Sequence, residues 1–217
     1  MPDKKICPIC NKRRAERYCP AKGEKICAID CGTEREVTID CPSDCAYLVA
    51  AHRWEQSHPK PIAESEIPFP EVSFPPDLIR TRQAVLSGLG YTVLVYAAEQ
   101  RSLADSDVFA ALQSLAETRR TLLSGIYYEK LPDIPVAAGL YAALAKFIEE
   151  EKKHAAEHPE FPALKDAEIF HILVFFLRFG RLRSNGRPRT RAFLEFLRSQ
   201  FPSEVGVSKE EPRIILP

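Results

Sequence analysis

Seven cysteines carry the most legible chemistry in this chain, and all of them fall within its first 45 residues. They are spaced Cys7-x2-Cys10, then Cys19, then Cys27-x3-Cys31, then Cys41-x3-Cys45. Zinc takes four thiolate or imidazole ligands in a tetrahedron, and two cysteines that share a tight turn can face one ion. Asn11 follows Cys10, where such a turn often calls for a left-handed residue, a conformation asparagine tolerates. Recurring pairs let a short chain close on metal with little core of its own. The odd count leaves a disulfide framework one cysteine short. Residues 1–7 show no apolar signal-peptide core. The expected compartment is therefore the reducing cytoplasm, where disulfides are rare. A Cys-x-x-Cys redox centre would need a thioredoxin-like βαβ setting, which the pattern lacks. His52 stands past Cys45 on an expected helix, about 10 Å of rise away. That is too far to share one ion, so His52 reads as a surface histidine.

The elements around these ligands follow from local pattern. Residues 34–40 alternate like a strand leading into Cys41. Pro42-Ser43-Asp44 then opens a helix running to about Trp54, with Ser43 or Asp44 as its cap. Cys41 and Cys45 thus sit at a helix N-terminus, where the dipole favours thiolate. Knuckle, hairpin and ligand-bearing helix together make a treble-clef arrangement.

Cys7-Pro-Ile-Cys10, Tyr18-Cys19-Pro20 and Ile26-Cys27-Ala-Ile-Asp-Cys31 resemble the HIT-type and MYND-type cross-brace zinc fingers. In those families the first and third ligand pairs share one ion, and the second and fourth share another. The resemblance implies one site of Cys7, Cys10, Cys27 and Cys31, and a second of Cys19, Cys41 and Cys45. Lys22 occupies the position of the family's remaining cysteine, so that second site lacks a ligand. The whole chain also resembles a group of uncharacterised bacterial zinc-finger proteins that tend to carry Cys-Cys-Gly-Thr where this chain has Asp30-Cys31-Gly32-Thr33. That resemblance implies another partition. Cys7, Cys10, Cys27 and Asp30 would form one site, and Cys19, Cys31, Cys41 and Cys45 the other. Both stay open, as does a single occupied site, so the expected cofactor is zinc, one or two ions per chain.

The elements that must carry this module are helical. The expected fold class is mainly α: a small N-terminal α+β treble-clef module (residues 1–55) followed by an all-helical domain of about five helices (77–201). Between them, residues 56–76 carry six prolines, which favour extended backbone and read as a stiff linker or a strap. Ile67, Phe69, Val72 and Phe74 favour the strap, because a free linker has no use for them. Helices are expected over about 77–100, from near Asp105-Ser106, which supply capping oxygens, from after Asp133 with Pro135 in the first turn, over 166–183, capped by Asp166, and over 189–200. The tail, 202–217, holds three adjacent aliphatics, Ile214-Ile215-Leu216, that should dock on the body or on a partner. The longest uncharged stretch, 83–98, is shorter than the roughly 18–20 apolar residues a membrane span needs.

Composition excludes extremes. The chain has 217 residues, 45% of them hydrophobic and 28% charged, enough for a packed core and against wholesale disorder. Its 30 basic and 30 acidic side chains argue against a nucleic-acid coat held by bulk charge. The balance is uneven along the chain: 11 basic and 9 acidic residues to position 60, 10 and 17 over 61–177, then 9 and 4. Arg178, Arg181, Arg183, Arg187, Arg189 and Arg191 cluster in the basic end. They could bind phosphates or nucleic acid, or could pair internally and cap carbonyls. Glu151-x-x-His154 and Glu168-x-x-His171 match the helical half-motif of di-iron carboxylate bundles. The first sits in a charged run. The second lies with Arg178 on what reads as the exposed stripe of its helix. No nucleophile elbow, phosphate loop or dinucleotide fingerprint is present. The reading is a non-catalytic zinc-binding protein that contacts a protein partner, with nucleic-acid or phosphate binding and a di-iron enzyme as the alternatives.

Overall fold

The computed structural model describes residues 5–58, 62–126, 128–158, 160 and 162–201. Expectations for the tail at 202–217 fall outside them. The order is β1 (Arg17–Cys19), β2 (Glu24–Ile26), α1 (Ala28–Thr33), α2 (Ala46–Ser57), a 3-10 turn (Glu64–Glu66), α3 (Leu78–Thr81), α4 (Gln83–Glu99), α5 (Asp105–Leu123), α6 (Pro135–Glu157), α7 (Asp166–Arg183) and α8 (Ala192–Gln200). The protein is mainly helical, with a small two-stranded antiparallel sheet near its N-terminus. No helix among the described residues is long and apolar enough to cross a membrane.

Two separate apolar cores organise the chain. The small one joins Ile26, Ile39 and Ala15 to Cys7, Cys19 and Cys27. The large one is built by α4 to α8 around Leu112, Leu115, Leu140, Leu144, Leu173 and Phe193. Pro135 starts α6, where its missing N–H would have had no intrahelical partner. α4 and α6 pack closely because Gly88 offers no side chain: a methyl there would collide with the Phe147 ring.

Three local expectations change. The helix expected over 77–100 divides at Arg82, whose backbone leaves helical geometry. Its buried guanidinium reaches Glu168 and the carbonyls of Pro162 and Ala163 at 2.8–3.2 Å. Residues 34–40 form a folded-back loop rather than a strand, because the carbonyl of Glu34 gathers the N–H groups of Val37, Thr38 and Ile39. Glu36 sits there at φ 55°. Asp105 does not cap its own helix. It begins α5, and its buried carboxylate accepts the backbone N–H groups of Phe193 and Leu194 at the start of α8 (2.9 and 3.3 Å) and the Ser184 hydroxyl (2.8 Å). Asp107 takes the Ala104 N–H instead.

Residues 62–76 lie as a strap over α7. Phe69 meets Phe170 edge to face, and Phe74 meets Phe175 in the same way. Arg178 gathers the strap's carbonyls, donating to Pro68 (2.9 Å), Val72 (3.1 Å) and Phe69. The stripe of α7 that read as exposed is therefore covered, Glu168 by Arg82 and Arg178 by the strap.

Candidate metal centre

The first ligand pair is set by a tight turn. Asn11 takes φ 52° and its N–H closes onto the Cys7 carbonyl at 2.8 Å. β1 and β2 then pair in the register Arg17–Ile26, Tyr18–Lys25 and Cys19–Glu24, which delivers the chain back beside the turn. Cys27 caps α1: its sulfur accepts the Asp30 N–H at 3.3 Å. One helical turn later the Asp30 side chain folds toward the same point.

Cys7, Cys10, Cys27 and Asp30 converge, one ligand atom from each lying within 4.8 Å of every other. This group could hold a metal ion. The Cys7 thiol donates to Asp30 Oδ2 at 3.0 Å, and Arg13 lies 3.5 Å from Oδ1. Hydrogen bonds from Cys10, Cys7 and Cys27, with the Arg13 charge beside them, hold the Asp30 carboxyl at about 2. Against the raising effect of the Asp30 carboxylate and of burial, the backbone N–H groups of Arg13 and Lys12 bring the Cys10 thiol below its ordinary value. Burial pushes the Cys27 thiol up. Three thiols and a carboxylate that share protons at this range are the donors a divalent cation takes once they are deprotonated.

Of the two partitions, the group drawn together is the one containing Asp30. Cys19, Cys31, Cys41 and Cys45 do not converge as closely among the described residues. Three of them do share the small core: Cys19 is buried within it, and Cys31 and Cys41 pack against it. Burial pushes the Cys41 thiol up, and the nearby Cys45 and Cys19 push it further. The Glu151/His154 and Glu168/His171 pairs enter no converging group among the described residues.

His52 is not a surface residue. It is 4% exposed and lies between two carboxylates. Its Nε2 is 2.9 Å from Glu36 Oε1, and its Nδ1 is 2.8 Å from Glu195 Oε2. Since both ring nitrogens face carboxylate oxygens, both carry protons and the ring is an imidazolium. Burial works against that charge, but Glu195 and Glu36 together raise the His52 pKa to about 10. Glu36, 2% exposed, also accepts from Asn185 Nδ2 at 2.9 Å. Burial opposes its charge, yet His52 and Asn185 hold its carboxyl below the usual value. This cluster joins α2 and the 34–40 loop to α8 and to the turn between α7 and α8. Single positions in the sequence carry no signal for it, because its two halves, Glu36 with His52 and Asn185 with Glu195, lie more than a hundred residues apart.

Half of the arginine cluster, Arg187, Arg189 and Arg191, lies along the same seam. Arg187 donates to the carbonyls of Arg35 (2.6 Å) and Gly32 (3.1 Å). Arg191 takes Asp40 (2.8 Å) and the carbonyls of Leu103 and Arg101. The backbone N–H of Arg189 meets the Glu36 carbonyl at 2.9 Å. Arg181 donates to the strap at Glu66, and Arg183 stacks over Phe196 and Phe179.

No family model matches this chain, and no curated protein and no solved structure shows significant similarity to it.

Proposed function

We propose that the protein is a non-catalytic, zinc-stabilised interaction protein whose N-terminal module, similar in its ligand spacing to HIT-type and MYND-type fingers, meets a protein partner. The observation that carries the metal part is the convergence of Cys7, Cys10, Cys27 and Asp30. A zinc tetrahedron with Zn–S bonds of about 2.3 Å has edges of about 3.8 Å, so four donors within the observed range are of the right size. Four protein ligands close the ion to substrate, which is the pattern of a structural site.

The interaction part rests on side chains left bare on the module. Tyr18, Ile29 and Trp54 are 56, 53 and 60% exposed. Large apolar and aromatic groups of this kind serve as anchors in protein interfaces. Arg178, Arg181, Arg187 and Arg191 direct donors to this chain's own carbonyls and carboxylates, which favours this reading over a nucleic-acid coat.

Metal analysis of the purified protein tests the first part: one to two zinc ions per chain are expected. Asp30→Ala should lower zinc affinity by at least about tenfold, read by competition with a chromogenic chelator. A metal-free protein whose N-terminal module stays folded would overturn the reading. For the second part, Ile29→Asp with Trp54→Ala should abolish specific capture of a partner without changing the zinc content.

A further inference from the structure

A cleft of about 180 Å3 opens where the N-terminal module meets the body. Ser43, between Cys41 and Cys45, forms one wall. Gln100 and Arg101, just past α4, and Arg191 and Arg198 of the α8 region form the others, over a floor that includes Leu194. Three guanidinium groups line this cleft, and no carboxylate does. Arg191 is committed to Asp40 and to two carbonyls. Arg101 and Arg198 have no hydrogen-bond or ionic side-chain partner among the described residues. Arginines that line one cleft and lack an acidic partner offer forked N–H donors that an oxyanion can accept.

We propose that this cleft binds a phosphate-type oxyanion carried by a small ligand. Arg101 and Arg198 supply the charge, Arg191 keeps the floor in register, and the Ser43 hydroxyl and Gln100 amide complete the polar rim. A cleft of about 180 Å3 is of the size of a single phosphate with a small ester group. Because Ser43 belongs to the metal module and the arginines belong to the body, an anion here bridges the two cores. The inference stands on the cleft alone and does not depend on the partner reading above.

Titration of the 15N-labelled, zinc-loaded protein with phenyl phosphate and with inorganic phosphate, at constant ionic strength, tests it. Saturable shifts are expected at the side-chain Nε–H signals of Arg101, Arg191 and Arg198 and at the Ser43 amide. Arg101→Gln with Arg198→Gln should weaken binding by at least about tenfold, the effect of losing charge-assisted donors. Both side chains lie outside the packed cores. Should the double variant nonetheless lose the native spectrum, Arg101→Gln alone, at an exposed position, carries the same test. Shifts that fail to saturate, or equal affinity in the variant, would overturn the proposal. So would a single-stranded oligonucleotide binding more tightly per phosphate than phenyl phosphate, with a steep dependence on salt, which would assign the arginines to nucleic acid instead.

Discussion

His52 shows how much one side chain can carry when its surroundings are charged. Its imidazolium lies between the buried Glu36 and the half-buried Glu195, and the burial of His52 and Glu36 rests on their opposite charges. Removing one partner of such a cluster leaves an uncompensated charge, at a cost of about 3–5 kcal/mol. His52→Gln should therefore lower the denaturant midpoint strongly. The pH dependence has a definite sign. The folded pKa of His52, about 10, lies above its ordinary value of 6.5, so its contribution is complete below about pH 6.5 and is lost as pH rises toward 10. The Glu36 carboxyl is shifted downward, so its contribution is present above its ordinary value of 4.5 and fades in acid below that. Urea unfolding at pH 6 and pH 9.5 should show wild type losing more stability across that interval than His52→Gln. Equal losses would remove His52 as the group responsible.

At the scale of elements, the strap and the helix contacts make the next predictions. Arg178 holds three strap carbonyls, so Arg178→Gln should speed hydrogen exchange at Val72, whose N–H bonds to Phe69, while amides in the α5 core keep their protection. Gly180 of α7 faces Phe109 and Phe193, and an added methyl would lie 2.7 Å from the first ring and 3.1 Å from the second. Alanine gains about 1 kcal/mol of helix propensity there. The Phe193 ring is fully buried and packed against Phe176 and cannot yield, so overpacking of about 1–3 kcal/mol prevails. Thermal denaturation of Gly180→Ala should show a net loss. The starts of these long elements were legible from sequence: Pro135, Asp166 and the spacing of apolar residues place the first residues of α5, α6 and α7 within a residue or two. Arg82, Glu36 and Asp105 were not, because each departs from its local pattern to serve a partner far along the chain. Alternation over 34–40 would put Val37 inside with Ile39, yet Ile39 is buried and Val37 is exposed. It misses that a glutamate is inside too, since a buried carboxylate is intelligible only once His52 and Asn185 are beside it. The knuckle could be read because Cys7, Cys10 and Asn11 are neighbours. Asp30 as a member of the group came from family likeness rather than from spacing.

For the whole molecule, two cores mean two responses to metal. The helical core contains none of the cysteines. The small core is built largely from them and has few aliphatic side chains to fall back on. Chelation should therefore unfold the module and leave most of the helical circular dichroism at 222 nm. Trp54, the single tryptophan, lies in α2 and stacks on His58 at 4.4 Å, so its fluorescence reports the module selectively. A parallel loss of both signals would show that the two cores stand or fall together. The segment charges also acquire a meaning. The basic end binds the loop and strap of the first half through Arg178, Arg181, Arg187 and Arg191, so formal neutrality hides an internal division of charge.

The seam between module and body has a consequence for how the chain is made. The candidate metal ligands span only residues 7–30, and they are all made before any residue of the helical body. Glu36 and His52 find Asn185 and Glu195 only after some 140 further residues, roughly 7–30 s later at ordinary elongation rates. During that interval the module holds a buried-to-be charge pair with no body to cover it, and the ribosome's progress, not the module's own stability, sets when the seam can close.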